Sequence, residues 1–313
     1  MINKILGIEY PLIQGAMARI AKAELVSAVS NAGALGVIAS GGMSSEELRE
    51  EIRKCKKLTA KPFAVNLMLM MKNINELIDV VIEENVKIVT TGAGTPRPYM
   101  EKLKAADVIV VAVVPNAKIA KRMEEIGVDI IVAEGCEAGG HVGEVTTMTL
   151  IPQVVDAVNI PVVAAGGIAD NRGVLASFAL GAQGVQVGTA FLATKECPIS
   201  ENYKQAIKEA SDTSTIIVGG RKGVAQRGIK NEFTKKYLEL EYSDIDREQL
   251  EHLTLGALEK AVAGDVENGS VMSGAIAGLV KDITTVPDVV ATLFEGTDEL
   301  IERLREVQKI NSC

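Results

Sequence analysis

Eight short apolar segments recur along the first part of the chain, and segments rich in lysine and glutamate separate them. The apolar segments are Pro11–Gly15, Leu35–Ser40, Phe63–Leu69, Ile88–Gly92, Val108–Val114, Asp129–Gly135, Val162–Gly167 and Gly184–Phe191. The separating segments with a helical pattern include Ser44–Cys55, Ile74–Glu84, Ala117–Ile126, Met148–Val158 and Arg172–Leu180. Strands that alternate with helices in this number predict an α/β fold, the (β/α)8 TIM barrel.

An open, doubly wound parallel sheet is the competing architecture. That fold usually has fewer strands, and its dinucleotide-binding members carry a G-x-G-x-x-G motif after the first strand. Here the first predicted strand ends in Gly15-Ala16-Met17, so the motif is missing. The barrel is therefore the prediction.

The predicted helix boundaries agree with this alternation. Gly127 and Gly181 each follow a predicted helix, as C-terminal caps do.

The alternation stops after Phe191. The following residues, 196–270, contain one clear strand candidate, Thr215–Val218, and charged helical segments such as Asn202–Ala210 and Arg247–Ala263. This change of pattern predicts a second, smaller and mainly helical subdomain beside the barrel mouth.

The length of 313 residues exceeds the usual limit of a single core, which also favours a barrel with an appendage. We predict a barrel formed by residues 1–195 plus 275–313 and a lid subdomain formed by residues 196–274. The tail segment Asp298–Lys309 is expected to be a helix that packs on the barrel wall.

Composition excludes several classes of protein. A net charge of −8 argues against a general nucleic-acid-binding protein, because such proteins gain affinity by neutralising phosphates. Met1–Ala18 lacks the pattern of a signal peptide, and the longest apolar run, Val108–Pro115, is too short to cross a membrane. The cysteines, at positions 55, 136, 197 and 313, fit no zinc-ligand spacing. They predict reduced thiols and a cytoplasmic protein.

The segment Asp129–Gly143 has the strongest functional pattern. It begins as a continuous apolar run, which is typical of a strand buried on both faces, and it opens into a loop with four glycines. The loop carries His141, one of only two histidines in the chain. A glycine-rich loop with a histidine at the carboxyl end of a barrel strand is a candidate catalytic loop. The alternative is a tight turn whose histidine is merely exposed.

Two glycine clusters lie in the last two predicted strands. Gly166 and Gly167 end strand seven, and Gly188 and Thr189 lie in strand eight. The loops after these strands form the usual phosphate site of TIM barrels, because backbone N–H groups of glycines can approach phosphate oxygens closely. Thr189 could add a hydroxyl donor. Together the clusters predict a ligand that carries a phosphate group.

Other unusual residues lie at the same ends of the strands. Gly15-Ala16-Met17 gives a turn of small residues with a polarisable thioether, which suits the ring of a redox cofactor. Asn66 lies inside an otherwise apolar strand, and either a ligand or a core partner would satisfy it. Glu134 has the same two interpretations. Cys136 has acidic neighbours and no nearby cation in sequence, so we interpret it as structural.

Several motifs together resemble the FMN-dependent enoyl-acyl-carrier-protein reductase II family, the FabK type, which is related to the nitronate monooxygenases. They cover nearly the whole chain: YPLIQGAM (10–17), KPFAVNLML (61–69), VTTGAGTP (89–96), AEGCEAGGHVG (133–143), TTMTL (146–150), VVAAGGIAD (162–170), GVQVGTAF (184–191), IKN (229–231) and NGSVMSG (268–274). The GGH, AGGIAD and VGT segments are shared with nitronate monooxygenases, whereas the extended GGH loop, VTTGAG and IKN are more similar to the reductase. One departure is Ala275, where relatives often carry Gln.

The resemblance implies a barrel with a lid-like second domain and non-covalent FMN at the barrel mouth. By position, FMN phosphate would contact Ala165, Gly166, Gly167, Gly188 and Thr189. The flavin would be lined by Gly15, Ala16, Met17, Asn66 and Glu134, with Gly139 and Gly140 close to it, and His141 would be catalytic. The resemblance further implies NADH or NADPH as co-substrate, an acyl carrier protein bearing an enoyl thioester as partner, and a homodimer. Members can respond to monovalent cations, for which no ligands are assigned.

In such a reaction the nucleotide reduces the flavin, and hydride then passes to the β-carbon of the enoyl thioester. The resulting enolate needs stabilisation and a proton at the α-carbon, and an imidazole suits both tasks because its pKa lies near neutrality. His252 lies in a glutamate-rich helical segment and is expected on the surface. The competing functions are a nitronate monooxygenase, with the same flavin and histidine but oxygen as oxidant, and a non-catalytic flavin- or phosphate-binding sensor.

The segment Arg221–Lys236 is locally basic in an acidic protein. A solvated helix face is one interpretation. The other is a docking surface for an acidic carrier protein or for nucleotide phosphates, with Arg227 and Lys230 as the best candidates.

Overall fold

Eight parallel strands form a nearly closed barrel in the computed structural model, which describes residues 1–310. The barrel strands are Leu12–Gln14 (β1), Gly36–Ala39 (β2), Phe63–Met68 (β3), Ile88–Gly92 (β4), Ile109–Val114 (β5), Ile130–Glu134 (β6), Val162–Ala165 (β8) and Val185–Val187 (β9). Each strand lies within one of the eight predicted segments. The predicted α/β fold, a TIM barrel, is therefore confirmed.

The barrel closes between β1 and β2. The backbone N–H of Gln14 donates to the Leu35 carbonyl at 2.9 Å, and the N–H of Leu35 donates to the Leu12 carbonyl at 2.9 Å. Two residues after Leu35, on β2, the Val37 N–H donates to the side-chain Oε1 of Gln14 at 3.0 Å. The buried amide thus takes the place of a backbone acceptor at the seam, so that a buried N–H is not left unpaired.

Two apolar layers follow from the alternation of side chains along the strands. On β6, Ile130 and Val132 belong to the cluster that fills the barrel interior. Ile131 and Ala133 point the other way, into the larger cluster between the barrel and its helices. Because both faces of the strands are buried, the sequence shows continuous apolar runs rather than alternation.

The helices that surround or adjoin the barrel are Ile2–Leu6 (α1), Ala23–Asn31 (α2), Ser45–Leu58 (α3), Ile74–Glu83 (α4), Met100–Ala105 (α5), Ala117–Glu125 (α6), Thr147–Val155 (α7), Asn171–Ala179 (α8), Thr189–Leu192 (α9), Glu201–Lys208 (α10), Val286–Phe294 (α14) and Thr297–Ile310 (α15). Gly127 and Gly181 have positive φ just after α6 and α8, as predicted for C-terminal caps. The predicted tail helix exists as α15 and contacts α8.

A small antiparallel sheet adjoins the barrel mouth. It consists of Gly140–His141 (β7), Thr215–Val218 (β10) and Gln226–Ile229 (β11), with β11 in the centre. The sequence prediction identified β10 but missed β11, because its residues, Gln-Arg-Gly-Ile, are mostly polar or small. The region between residues 196 and 274 is therefore less exclusively helical than predicted.

Three helices pack beside this sheet: Glu232–Glu241 (α11), Arg247–Thr254 (α12) and Ala257–Ala263 (α13). Phe233, Tyr237 and Leu250 form their own apolar cluster with Val218 of β10. The single predicted helix Arg247–Ala263 is wrong, since Gly256, with φ of 72°, separates α12 from α13. The proposed domain boundaries at 195/196 and 274/275 stay a prediction.

Residues 1–310 contain no helix that is both long and apolar enough to span a lipid bilayer.

Candidate active site at the barrel mouth

The carboxyl ends of the barrel strands carry polar side chains on the interior face. By strand alternation, Asn66, Thr90, Glu134 and Gln186 lie on this face, one layer above the aliphatic interior. Asn66 Nδ2 donates to Thr90 Oγ1 at 2.9 Å, so a neighbouring side chain of the barrel provides a partner for the NH2 group of Asn66. Asn66 Oδ1 accepts no hydrogen bond from the described residues, and it can still serve a ligand.

Glu134 ends β6 without a hydrogen-bond or ion-pair partner among the residues that the structure describes. Removal of water from the carboxylate raises the pKa of Glu134 to about 7. The side chain nevertheless keeps partial solvent contact, which shows that it faces a recess rather than a closed core. A carboxyl group in this state can either donate or accept a hydrogen bond at neutral pH.

The loop after β6 is held by Glu137, a residue without an assigned role in the sequence prediction. Its carboxylate accepts from the backbone N–H of Thr147 at 2.9 and 3.0 Å and from Thr147 Oγ1 at 3.0 Å. The Thr147 hydroxyl also lies 2.9 Å from the Gly166 carbonyl. Both residues occur in the motifs that carry the family resemblance, and the structure shows that they join this loop to the loop after β8.

Gly166 and Gly167 follow β8 as consecutive residues with φ of 90° and 77°. A side chain on Gly166 would come within 2.8 Å of the Gly135 carbonyl oxygen, so this turn requires glycine. The neighbouring strand β9 ends at Val187. Gly188 and Thr189 therefore follow the strand and begin a helical turn, and their predicted place within strand eight is wrong.

The turn Gly15-Ala16-Met17 lies beside the end of β9. The N–H of Gly15 donates to the Val187 carbonyl at 2.9 Å. A Cβ at Gly15 would lie 3.5 Å from the Gln186 side chain, and one at Gly188 would lie 3.9 Å from Met17 Sδ. The structure thus brings this predicted turn next to the predicted phosphate loops.

Residues Met272–Ala275 return to the mouth from the distant end of the sequence. Gly274 N–H donates to Thr189 Oγ1 at 2.9 Å. A Cβ on Gly139 would lie 2.7 Å from Gly274 N, so these two backbones are in direct contact. Ser273 Oγ is buried and has no hydrogen-bond partner in the described part of the chain. An orphaned hydroxyl beside Gly139 and Thr189 fits a polar ligand group at this position.

The sequence prediction did not include Ser273 or Gly274. The motif NGSVMSG was the available signal, but nothing in its spacing indicates which strand end it reaches.

His141 lies on β7, where it pairs with Gln226 of β11. The residue is exposed to solvent, yet nearby protein atoms partly desolvate the imidazole, and this desolvation lowers the pKa of His141. A side chain that is accessible to solvent but partly desolvated is expected to lie on the wall of an open recess. The catalytic role of His141 stays a prediction. The other histidine, His252, is exposed, as expected.

Comparison with known proteins identifies the family. A family model described as nitronate monooxygenase matches residues 1–78 and 72–296. A probable nitronate monooxygenase of Staphylococcus saprophyticus is 35% identical, over 96% of this chain and 98% of that protein. The chain belongs to the nitronate monooxygenase family. It is accordingly a flavin-dependent oxidoreductase, as the sequence resemblance implied.

Two solved structures are similar over essentially their whole length. The structure of FabK from Thermotoga maritima is 41% identical, with a TM-score of 0.94, and the match covers 98% of both chains. A nitroalkane oxidase from Streptomyces ansochromogenes is 25% identical, with a TM-score of 0.87, over 97% of this chain and 100% of that one.

The basic segment Arg221–Lys236 of this family member is not one helix. It consists of a turn, strand β11 and the start of α11, so a helix face explains only its last lysines. Arg227 is partly buried, and its guanidinium donates to the Cys136 carbonyl at 3.0 Å and to Thr215 Oγ1 at 3.0 Å. Lys230 is exposed. Arg227 thus joins the small sheet to the loop that carries His141.

Among the described residues, no group of three or more His, Cys, Asp or Glu side chains could hold a metal ion.

Cys55, Cys136 and Cys197 are free, and burial raises the pKa of all three thiols. Cys136 therefore has no thiolate character, in agreement with its structural interpretation. Cys313 lies outside the described residues.

Proposed function

We propose that this flavin-dependent oxidoreductase reduces trans-2-enoyl thioesters of acyl carrier protein to acyl thioesters, with NADH or NADPH as hydride donor. The observation that carries the proposal is the similarity to FabK, which is greater in identity and in TM-score than the similarity to the nitroalkane oxidase. It is also greater in identity than the similarity to the staphylococcal relative, which is 35% identical.

The residues at the barrel mouth fit FMN. Gly166 and Gly167 present adjacent backbone N–H groups in a turn that no side chain can fill. Thr189 Oγ1 accepts a hydrogen bond from Gly274, so its proton is free for a phosphate oxygen. Ala165, Gly188 and the orphaned Ser273 hydroxyl would complete this end of the site.

The flavin ring would lie against the small-residue turn Gly15-Ala16-Met17, with Asn66 Oδ1 and the Glu134 carboxyl as hydrogen-bonding groups and with Gly139 and Gly140 close by. When bound, FMN would supply hydride transfer between the nucleotide and the enoyl thioester.

The overall reaction adds a hydride to the β-carbon and a proton to the α-carbon, while the nucleotide is oxidised. As the carbon–carbon double bond is lost, negative charge develops on the thioester oxygen. His141 would hold a ring N–H toward this oxygen, and in its protonated form it would deliver a proton to the α-carbon and return to the neutral imidazole. Backbone N–H groups of the glycine loop would stabilise the same charge. Arg227 and the Glu137–Thr147 pair would fix the loop that positions His141.

Nitronate oxidation is the second candidate, because the family model and the staphylococcal relative carry that name. It would use the same mouth and the same histidine, with oxygen as oxidant and without a pyridine nucleotide.

A single assay on the purified yellow protein separates these functions. Under anaerobic conditions, NADH or NADPH should be oxidised only after addition of crotonyl-CoA or a crotonyl carrier protein. Oxygen consumption with propyl-2-nitronate, without enoyl-dependent nucleotide oxidation, would instead establish the monooxygenase. A flavin spectrum with neither activity would leave the sensor function.

The acidic carrier protein would dock near the exposed basic side chains of the lid, among them Lys230. A homodimer, a response to a monovalent cation, and a cytoplasmic location belong to the same proposal.

A further inference from the structure

A second cavity lies next to the loop that carries His141. Its volume is about 480 Å3, which lies within the range of small-molecule sites. Three segments line it: Pro115 and Asn116 after β5, Val142–Val145 after β7, and the turn between β10 and β11. The backbone of Val142 is joined to this turn by a hydrogen bond to the Ala225 carbonyl at 3.0 Å. The cavity thus begins one residue beyond the candidate catalytic histidine.

The turn between β10 and β11 contains three glycines that line the cavity, and the fold requires only two of them. A side chain at Gly219 would lie 2.3 Å from the Val224 carbonyl oxygen, and one at Gly223 would lie 2.4 Å from the Tyr237 hydroxyl. A Cβ at Gly220 would meet no atom within 4 Å, and Gly220 is exposed. The local fold therefore has room for a side chain at Gly220, although this residue lines the cavity.

The same turn offers no positive charge to the cavity, although its sequence is basic. Three of its backbone N–H groups, those of Gly219, Arg221 and Lys222, donate to the buried carboxylate of Glu241 at 2.7–3.1 Å. This carboxylate occupies the backbone concavity in which a phosphate could otherwise bind.

The two cationic side chains of the turn are engaged elsewhere. The Arg221 guanidinium lies 5.2 Å from the centre of the Tyr242 ring. Lys222 Nζ donates to the carbonyls of Ser243 and Ile245. The one charged residue that lines the cavity is Glu144. No cationic side chain among the described residues lines the cavity to bind a pyrophosphate, whereas backbone donors and acceptors of its three segments could bind a neutral chain of amides.

We infer that this cavity binds the pantetheine arm of the acyl thioester substrate, and not the nicotinamide nucleotide. This inference rests on the proposed enoyl-thioester reduction. A pantetheine arm is a flexible, uncharged chain with two amide groups, and it must run from the protein surface to the reacting carbons. The lining of the cavity extends from the exposed residues Gly220 and Glu144 to Val142, the residue after His141, so an arm bound here would lie between the surface and the loop of His141.

The test is the substitution Gly220→Val in the flavin-loaded enzyme. Gly220 lines the cavity and a Cβ there meets no atom of the fold within 4 Å, so we expect the added side chain to narrow the cavity and to raise the KM for crotonyl-CoA at least tenfold. The KM for NADH or NADPH should stay within twofold of wild type. Val224→Leu is the matched control, because Val224 lies on the same turn, is 49% exposed and does not line the cavity. It should leave both KM values unchanged.

Direct binding supplies a second readout. Titration calorimetry of the oxidised enzyme with hexanoyl-pantetheine, which carries no nucleotide, should give weaker binding for Gly220→Val and unchanged binding for Val224→Leu. If Gly220→Val lowers the melting temperature, Gly220→Ala replaces it, with a smaller expected rise in KM.

A rise in the nucleotide KM with an unchanged thioester KM would overturn the inference, and so would unchanged values for both substrates. If the wild-type enzyme reduces no enoyl thioester, the proposed function fails together with the inference. If the wild type reduces crotonyl-CoA and the variant is indistinguishable from it, only the inference fails.

Discussion

The two ends of strand β6 differ in what burial does to their side chains. Ile130 and Glu134 lie on the same face of the strand, four residues apart, and both point toward the barrel interior. Ile130 is completely buried among aliphatic side chains, where burial stabilises the fold. At Glu134, burial opposes the charge of a carboxyl group that has no partner among the described residues, and its pKa rises.

This difference shows that the two ends of a barrel strand have different roles. Side chains at the lower end stabilise the fold, and side chains at the upper end are available for chemistry. The lower layers are apolar and need no ligand. The upper layer keeps polar groups without a hydrogen-bond partner among residues 1–310, namely the Glu134 carboxyl and Asn66 Oδ1, and the buried Ser273 hydroxyl nearby is also unpaired within this range. Groups of this kind are costly unless a ligand completes their hydrogen bonds, which is why they mark a binding site.

The largest expected effect is on catalysis at the mouth. His141→Ala should lower the rate of enoyl reduction by about 100-fold to 10,000-fold, because a positioned proton donor contributes that much. The variant should keep its flavin spectrum, its reduction by the nucleotide and its melting temperature, since the ring is exposed. His252→Ala is the matched control and should be fully active. Stopped-flow absorbance of the flavin follows both half-reactions, and full turnover by His141→Ala would refute the assigned role.

The next effect is on stability in the lower layer. Ile130→Ala should reduce the free energy of unfolding by about 2–5 kcal/mol, because it leaves a cavity in a packed interior. The KM values should not change. Ile5→Ala, at an exposed position, should cost far less. Denaturant unfolding monitored by circular dichroism measures both. A catalytic defect in Ile130→Ala without loss of stability would contradict the separation of the two ends.

The third effect is a dependence of stability on pH at Glu134. Its folded-state pKa of about 7 is above the ordinary value of 4.5, so the folded protein keeps a proton that the unfolded chain releases. The stabilisation is fully present below about pH 4.5 and is lost as the pH rises through 7.

Glu134→Gln removes this titration. At pH 8 the flavin-free variant should be more stable than wild type by up to about 3 kcal/mol, and the difference should shrink toward pH 5. Urea unfolding at a series of pH values tests this. A constant difference across the series would show that the carboxylate is not desolvated in solution.

The smallest effect concerns exposed basic side chains in the region of residues 196–274, the predicted lid. Neutralising the exposed Lys230 and Lys236 together should raise the KM for a carrier-bound enoyl thioester by roughly two- to fivefold at low salt, and less at high salt. The KM for crotonyl-CoA should change less. Lys57→Ala, on α3, is the control for a loss of charge at a site unrelated to the lid. Equal changes for both thioesters would argue against docking at this surface.

Much of the fold could be predicted because the strand signal is local. The barrel strands are mostly apolar runs that are buried on both faces, and several helices have their own caps, such as the capping box of Ser44 and Glu47. Strand β11 could not be predicted, because Gln226–Ile229 has no strand pattern of its own and is stabilised by pairing with β7 and β10. Gly256 likewise ends a helix within a charged segment that is otherwise helical in pattern.

The sequence by itself determined the barrel, the order of its strands and the loops that lie at their carboxyl ends. These follow from periodicity, since parallel strands bring consecutive loops to one edge whatever their exact packing. Only the tertiary structure decided three hydrogen bonds. The Gly274 N–H donates to Thr189 Oγ1, the Gly219 N–H donates to the Glu241 carboxylate, and the Arg227 guanidinium donates to the Cys136 carbonyl. These contacts join residues 22 to 91 positions apart, and no local pattern encodes such pairs, because they depend on how the small sheet packs over the barrel mouth.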